Sequence, residues 1–520
     1  MAAVSSGAFA DIPAAATTDV RSLARDHPIA VALTAITLVG LAVRLWRIGH
    51  QSFWYDESFT VELVHHSPGK MFGLFPKMET TPPLYYCVSW VWVRIFGFGE
   101  AGLRSLSAVV GTATIPVAYS IGARLMTRRI GLTAAALVAF NPLLIWYSQE
   151  ARSYSTLVFT SSLSLLAFAW ALQGPPTWRR LGAWGLAAGL ALCTHYYASI
   201  VLVPEAIVLL SRHHGDRRVW AACAFVVAVG LALLPLLLLQ LHLASWVAGY
   251  PLISRLGQIG PQFVLGTGAP ARTWLKLAAA LAIAGSFVLL TWRATRTERR
   301  GALVIGGVGL AGFLITMSLV ALGKDFLITR NIIAILVPAI LLVAGGLGAR
   351  RAGWLGPAGT TVLCAVGLTA AIAVSVDIPL QRPDWRGLVR VLGPPPAGAH
   401  ARLLLFQHYY GWRNLSIITP LYAFGRSARV DEVDVIAIRA IERGGWFCWW
   451  GSACNLPPSH ISAQLQIPGM VRAGPEAVYH QFVIQRFRSE RPILVLRATL
   501  NRALRRDHPG YFMPLEQHVA

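Results

Sequence analysis

Residues 181–211, LGAWGLAAGLALCTHYYASIVLVPEAIVLLS, are apolar for 31 positions, broken only by a polar-aromatic centre and by Glu205. A bilayer core takes about 20 helical residues, so one ordinary span cannot use them all. Arg179 and Arg180 precede the stretch, and Arg212, Arg217 and Arg218 follow it. Arginines collect on the cytoplasmic side of spans. The stretch therefore reads as two short helices with both outer ends inside and the tip His195-Tyr196-Tyr197 outside.

Outward from this pair, apolar runs near spanning length occur at 28–46, 105–123, 130–148, 153–173, 219–240, 274–292, 302–322, 326–348 and 354–376. With the pair they make about eleven transmembrane helices. The segment 82–97 is short and aromatic and carries Arg94. If it spanned, every later loop would change sides. Arg128/Arg129, Arg179/Arg180, Arg212–Arg218, Arg293–Arg300 and Arg350/Arg351 all fall inside only if it does not span and the N-terminus is cytoplasmic. It is expected to be interfacial or re-entrant.

Composition agrees. Of 520 residues 55% are hydrophobic and only 13% charged, with 45 Lys+Arg against 23 Asp+Glu, a net charge of +22. That charge share is about half the soluble norm, which argues against a disordered chain or a cytosolic multidomain enzyme. The basic residues are separated by apolar runs instead of forming one face, so no nucleic-acid partner is expected.

Residues 1–27 read as a disordered cytoplasmic tail, 28–376 as the membrane domain with a first outer loop at 47–104, and 377–520 as an α/β domain outside the membrane. In that domain Arg402–Phe406 and Ile493–Leu496 are strand-like, and Trp385–Leu392 is helix-like behind a possible Asp384 cap. Pro394-Pro395-Pro396 marks a loop. Trp446-Phe447-Cys448-Trp449-Trp450 suits an interface anchor or a small core better than a sugar platform. Cys448 and Cys454 could pair if this domain faces an oxidising compartment. The other four cysteines lie in apolar surroundings, and no metal-site spacing occurs.

On the outer side polar residues gather in few places: Asp56, Glu57, Glu62, Lys77 and Glu79 in the first loop, 147–154 in the second, the His195 tip in the third, then Lys324-Asp325 and Arg330 just inside the next helix. Ionisable groups at a membrane boundary are costly unless paired or used. Acids beside aromatics, opposed by arginine, histidine and lysine, suit transfer to a hydroxyl from a phosphorylated donor. Each also has a plainer reading. Asp56 and Glu57 could be satisfied by Arg44 and Arg47, Glu150 and Arg152 by other loops, and His195 by structural hydrogen bonds. Arg330 could snorkel to the interface, and Glu205 requires a buried partner.

The run Leu45-Trp46-Arg47-Ile48-Gly49 leading to Trp54-Tyr55-Asp56-Glu57-Ser58 resembles the first loop of C-type (GT-C) membrane glycosyltransferases. So do Thr81-Pro82-Pro83-Leu84-Tyr85-Tyr86, Tyr147–Tyr154 and Thr194-His195-Tyr196-Tyr197. The likeness is densest over 40–210 and is nearest to the protein O-mannosyltransferase and lipid A aminoarabinose transferase branch. It implies a polyprenyl-phosphate sugar donor used on the extracytoplasmic face of the cell inner membrane, with a glycolipid, polysaccharide or protein as acceptor. Asp56 maps onto the catalytic base, with Glu57 positioning it or binding acceptor. Glu150 maps onto a second-loop acid that is often Asp in relatives. Glu79, Arg152, His195 and Tyr196 are expected to bind substrate, and Arg330, with Lys324 nearby, to hold the lipid phosphate. Aminoarabinose transferases carry Glu-Lys before the paired prolines, where this chain has Thr80-Thr81, so no phosphate-binding lysine carries over. A divalent cation is possible, but no ligands are assigned to it. The rival readings are a lipid or small-molecule transporter and a glycolipid-binding scaffold.

Overall fold

The computed structural model describes residues 27–394 except 269 and 271, together with 402–406, 411–419, 422–423, 426–438, 461, 465–500, 502 and 517–519. The expectations for residues 1–26, for Pro395-Pro396, for the 446–450 aromatic run and for the Cys448/Cys454 pair lie outside the described residues. Cys87, Cys193, Cys223 and Cys364 are free and partly buried.

Helices occupy each of the apolar runs identified above. Seven have at least 18 residues and enough hydropathy to cross a membrane: Pro28–Leu45, Glu100–Leu125, Tyr154–Ala171, Arg217–Gly249, Thr273–Trp292, Arg296–Ala321 and Leu355–Val376. The 181–211 stretch forms two shorter helices, Trp178–Thr194 and Ser199–His213, joined by a 3-10 turn at Tyr196–Ala198.

Two expected spans differ in form. The run 130–148 is not one helix: Arg128–Phe140 and Pro142–Ser148 meet at a 57° bend. The cause is local. Pro142 has no N–H to continue the first helix, and the Asn141 side chain accepts from Leu144 N to cap the second. The run 326–348 is helical only from Ile333; residues 324–328 have no regular structure and 329–332 form turns. Arg330 is therefore in a turn before the helix, not inside it.

The loops sort to two ends. At one end Arg129 reaches Gly353 O, Arg218 reaches Pro176 O at 2.8 Å, and Glu298 accepts from Arg350 N at 3.0 Å. These are the loops whose arginines predicted an inner side. Helix Leu84–Phe96 belongs to the other end. Its Trp90 donates to His66 O, and the next helix starts beside the first loop, with Arg104 bonded to Ile48 O and Gln51 O. The segment thus begins and finishes at the same end of the bundle.

The C-terminal region is a sheet ordered β2-β7-β1-β3-β6-β4, with β5 also on β6. Here β1 is Arg402–Phe406, β2 Tyr422–Ala423, β3 Ser427–Ile438, β4 Val471–Arg472, β5 Ala477–Tyr479, β6 Phe482–Leu496 and β7 Gln517–Val519. Strands β1 and β3 are parallel, Arg402 opposite Glu432; the remaining pairs are antiparallel. Every residue of β1 is buried because both faces are covered. Trp385 and Leu388 pack on Leu404 and Phe406 from one side, while Leu465 and Ile467 join Leu403 and Leu405 on the other. Asp384 caps helix Trp385–Leu392, accepting from Gly387 N at 3.0 Å.

Candidate active site

The first-loop helix Tyr55–His65 begins with the paired acids in its first turn, where the helix dipole favours negative charge. The two acids have separate fates because they project in different directions from that turn. Glu57 is 0% exposed and fully used. One oxygen accepts from Arg104 Nε (2.7 Å) and Ala151 N (2.8 Å), the other from Arg104 Nη2 (2.6 Å) and Trp54 N (3.2 Å). Burial pushes its carboxyl up, but the Arg104 guanidinium and these donors outweigh burial and hold it below the usual range. Glu57 therefore has no oxygen left for an acceptor, which corrects half of the expectation for it. Its geometry is that of a tie between the first loop, the second loop and helix Glu100–Leu125.

Asp56 keeps its carboxylate at the edge of the cleft, partly exposed, where Oδ2 pairs with Arg330. Arg330 lies near the rings of Tyr154 and Trp246. The turn at 329–332 that replaces the expected helix start brings this guanidinium to Asp56.

Glu79 and Arg152 grip each other, Nη1 to Oε1 at 2.5 Å and Nη2 to Oε2 at 2.9 Å. Arg152 also donates to Asp56 O at 3.2 Å. Both side chains, expected to meet substrate, instead hold the first two outer loops together. Glu150 is 0% exposed. Arg382 donates to its Oε2 at 2.9 Å and lies 4.0 Å over the Trp146 ring, while Oε1 has no hydrogen-bond partner among the described residues. Burial, assisted by the charges of Glu57 and Asp56 and opposed by Arg382, raises its carboxyl to about 7.

The remaining expected residues make no hydrogen bond to this acid group among the described residues, although the His195 ring lies 6.0 Å from that of Tyr154. His195 Nδ1 accepts from Tyr197 N at 3.1 Å, a structural cap of the 3-10 turn. Tyr196 donates to Gln240 Oε1 at 2.8 Å, and Gln240 in turn reaches Thr81 O. Lys324 is exposed and makes no ion pair among the described residues. Arg44 and Arg47 do not serve the acid pair either: Arg44 bonds Ser148 and the carbonyls of Val138 and Ala139, and Arg47 contacts His50. Glu205 finds its partners in Ser164 and Trp184.

A cleft of about 520 Å³ opens beside Arg330, with Trp54, Trp146, Tyr147 and Glu150 along one side. Among the described residues no three His, Cys, Asp or Glu side chains form a metal-holding group. The acids near the cleft each face a guanidinium, so this donor set does not fit a divalent cation.

The chain has two kinds of likeness to known proteins. The sequence pattern of the family described as dolichyl-phosphate-mannose-protein mannosyltransferase matches residues 80–239. Over 87% of this chain and 97% of its own, the crystal structure of ArnT from Cupriavidus metallidurans bound to undecaprenyl phosphate superposes with a TM-score of 0.51 at 14% identity. The chain has the fold of the C-type (GT-C) membrane glycosyltransferases. The oligosaccharyltransferase of Archaeoglobus fulgidus also matches, at 13% identity over 72% of this chain and 58% of that one, with a TM-score of 0.43. No curated protein sequence matches.

On this GT-C scaffold several site residues have no counterpart in the sequence reading. Arg104 and Arg382 neutralise Glu57 and Glu150. Arg255 holds Asp325 with two bonds, at 2.7 and 2.5 Å. Arg413 of the C-terminal region lies 3.7 Å over Phe59 and pairs with Glu62. Arg104 could have been found, since it stands at the start of an apolar span, where an unpaired charge is costly. The others depend on long-range contacts that spacing does not encode.

Proposed function

We propose that this multi-pass membrane protein transfers one hexose or pentose from a polyprenyl-phosphate donor to a hydroxyl of a lipid, polysaccharide or protein. The reaction takes place at the end of the bundle that holds Asp56, the extracytoplasmic face of the cell inner membrane. The observation that carries this reading is the Asp56–Arg330 pair at the cleft, a carboxylate and a guanidinium held together and both partly accessible. The undecaprenyl phosphate bound to the ArnT relative supports the donor class. The distribution of arginine-rich loops supports the orientation.

The chemistry follows from these two groups. Asp56 takes the proton of the acceptor hydroxyl. The acceptor oxygen forms its bond to the anomeric carbon as the bond from that carbon to the phosphate oxygen breaks, with inversion. The electron pair leaves on the phosphate, and Arg330 stabilises the added charge; a planar guanidinium matches phosphate oxygens well. Because Arg330 pairs with Asp56, phosphate binding gives the guanidinium a second anion and loosens its hold on the base.

The test compares glycans and glycolipids in a deletion strain of the source organism complemented with wild type or with Asp56→Asn at matched protein level. One sugar-bearing product should vanish on deletion and return with wild type alone. Full restoration by Asp56→Asn would overturn the base assignment. Movement of a substrate across the membrane without covalent change would favour a transporter.

A further inference from the structure

We propose that the wall of the cleft formed by Gln258, Gln262 and Thr267 seats the donor's sugar and selects an uncharged hexose or pentose over a uronic acid. The proposal rests on the polyprenyl-phosphate reading above.

Helix Leu252–Leu265 lies between the spans Arg217–Gly249 and Thr273–Trp292, at the same end as Asp56. Its residues 255, 258 and 262 fall at helical spacing along one side, and all three line the cleft. Asn141 Nδ2 donates to Phe263 O at 2.8 Å and pins the helix end. The chain then turns through Gly266 (φ +81) and Gly268 (φ +73), in the left-handed region where glycine is favoured. Both approach their neighbours closely: a Cβ on Gly266 would meet Pro142 at 3.1 Å, and one on Gly268 the carbonyl oxygen of Leu380 at 2.8 Å. Thr267, held between them, is fixed against the cleft.

Gln262 and Thr267 are only 8% and 9% exposed. The Thr267 hydroxyl oxygen is buried with no hydrogen-bond partner among the described residues. Buried hydroxyls ordinarily have a partner, so a polar ligand in the cleft accounts for it. Glu150 Oε1 contributes a second buried and unpartnered polar atom to the same cleft. Aromatic side chains with a few convergent polar groups make a typical small-ligand cleft.

The charges decide the class of sugar. Arg255 has its guanidinium committed to both oxygens of Asp325, to Leu327 O and to Tyr250 O. Arg330 is engaged by Asp56 and is assigned to the phosphate. A sugar carboxylate would therefore find no cation left for it, and burying an unpaired charge is costly. Hydroxyls of a neutral ring can donate to Glu150 and exchange hydrogen bonds with the amides and Thr267.

The test is binding by the purified full chain in lipid nanodiscs. The probes are undecaprenyl phosphate alone and the same lipid carrying glucose, mannose, arabinose or glucuronic acid. Wild type should bind at least one uncharged glycosyl lipid about tenfold more tightly than the bare lipid, and the glucuronosyl lipid no better than the bare one. Gln262→Leu and Thr267→Val should each reduce that preference about three- to tenfold, the range of one hydrogen bond, while leaving bare-lipid affinity unchanged. The unchanged affinity also reports an intact fold. A preference that survives both substitutions, a glucuronosyl lipid bound as tightly as the best uncharged one, or equal binding of bare and glycosyl lipids would overturn the sugar seat and leave the lipid reading standing. No binding of undecaprenyl phosphate would overturn both.

Discussion

Glu150→Gln should change how stability depends on pH, because the wild-type carboxyl ionises about 2.5 units higher in the folded chain than its ordinary 4.5. A carboxyl raised on folding is more protonated in the folded state between those limits. It is cost-free below about pH 4.5, and its cost grows until pH passes about 7. At 1.36 kcal/mol per unit the accumulated cost is about 3 kcal/mol, an order-of-magnitude figure. Glutamine keeps the shape and cannot ionise, so the variant lacks this term. It also weakens the Arg382 contact, but that loss adds a nearly constant offset. The signature is therefore the slope. The wild-type melting temperature should fall relative to the variant between pH 4.5 and 7.5, and the gap should stay level above pH 8. Thermal unfolding of both purified proteins across that range measures it. Parallel curves would refute the assignment of a buried, proton-holding carboxyl to Glu150.

Arg104→Met strands Glu57 without its cation and should destabilise the chain by about 3–5 kcal/mol. Adding Glu57→Gln should recover much of that loss, as thermal unfolding of the single and double variants would show. Asn141→Ala removes the cap at the 57° bend together with the bond to Phe263 O; losing the cap alone should cost about 1 kcal/mol, read as a lower melting temperature. Gly266→Ala adds a side chain at positive φ against Pro142 and should reduce stability by about 1–3 kcal/mol, whereas Gly257→Ala, with open space around it, should be near neutral. Arg413→Ala removes the contacts to Phe59, Ser58 and Glu62 and should lower product formation in the complementation assay while the bundle keeps its fold; unaltered product would argue against a role for the C-terminal region in holding the first-loop helix.

The helix positions were legible because bilayer thickness imposes a length on apolar runs, and alternating arginine-rich loops order them. What escaped had local or long-range causes. Asn141-Pro142 breaks a run that hydropathy alone reads as continuous. Residues 326–332 read as the start of a span, yet Arg330 among them is held by Asp56, and Asp325 just before them by Arg255. Motif order brought Asp56, Glu150 and Arg330 together as one group. It did not distinguish Asp56, at the cleft edge, from Glu57, sealed by Arg104, since adjacent residues differ only in the direction of their side chains. The helix Leu252–Leu265 carries glutamines of no distinctive spacing, and only its packing gives them significance.

At the end of the bundle that holds the cleft, Asp56, Glu57, Glu79, Glu150 and Asp325 each face one arginine, respectively Arg330, Arg104, Arg152, Arg382 and Arg255. Paired so closely, they act at a distance as dipoles whose fields fade quickly, although the chain as a whole carries +22. If the donor is the proposed polyprenyl phosphate, its anionic headgroup is then not drawn to the cleft from afar. It arrives by lateral diffusion in the leaflet and is captured only within contact range, by exchange of partners at one guanidinium. Such capture depends little on the Debye length, so added salt has small leverage over the rate at which the lipid is loaded.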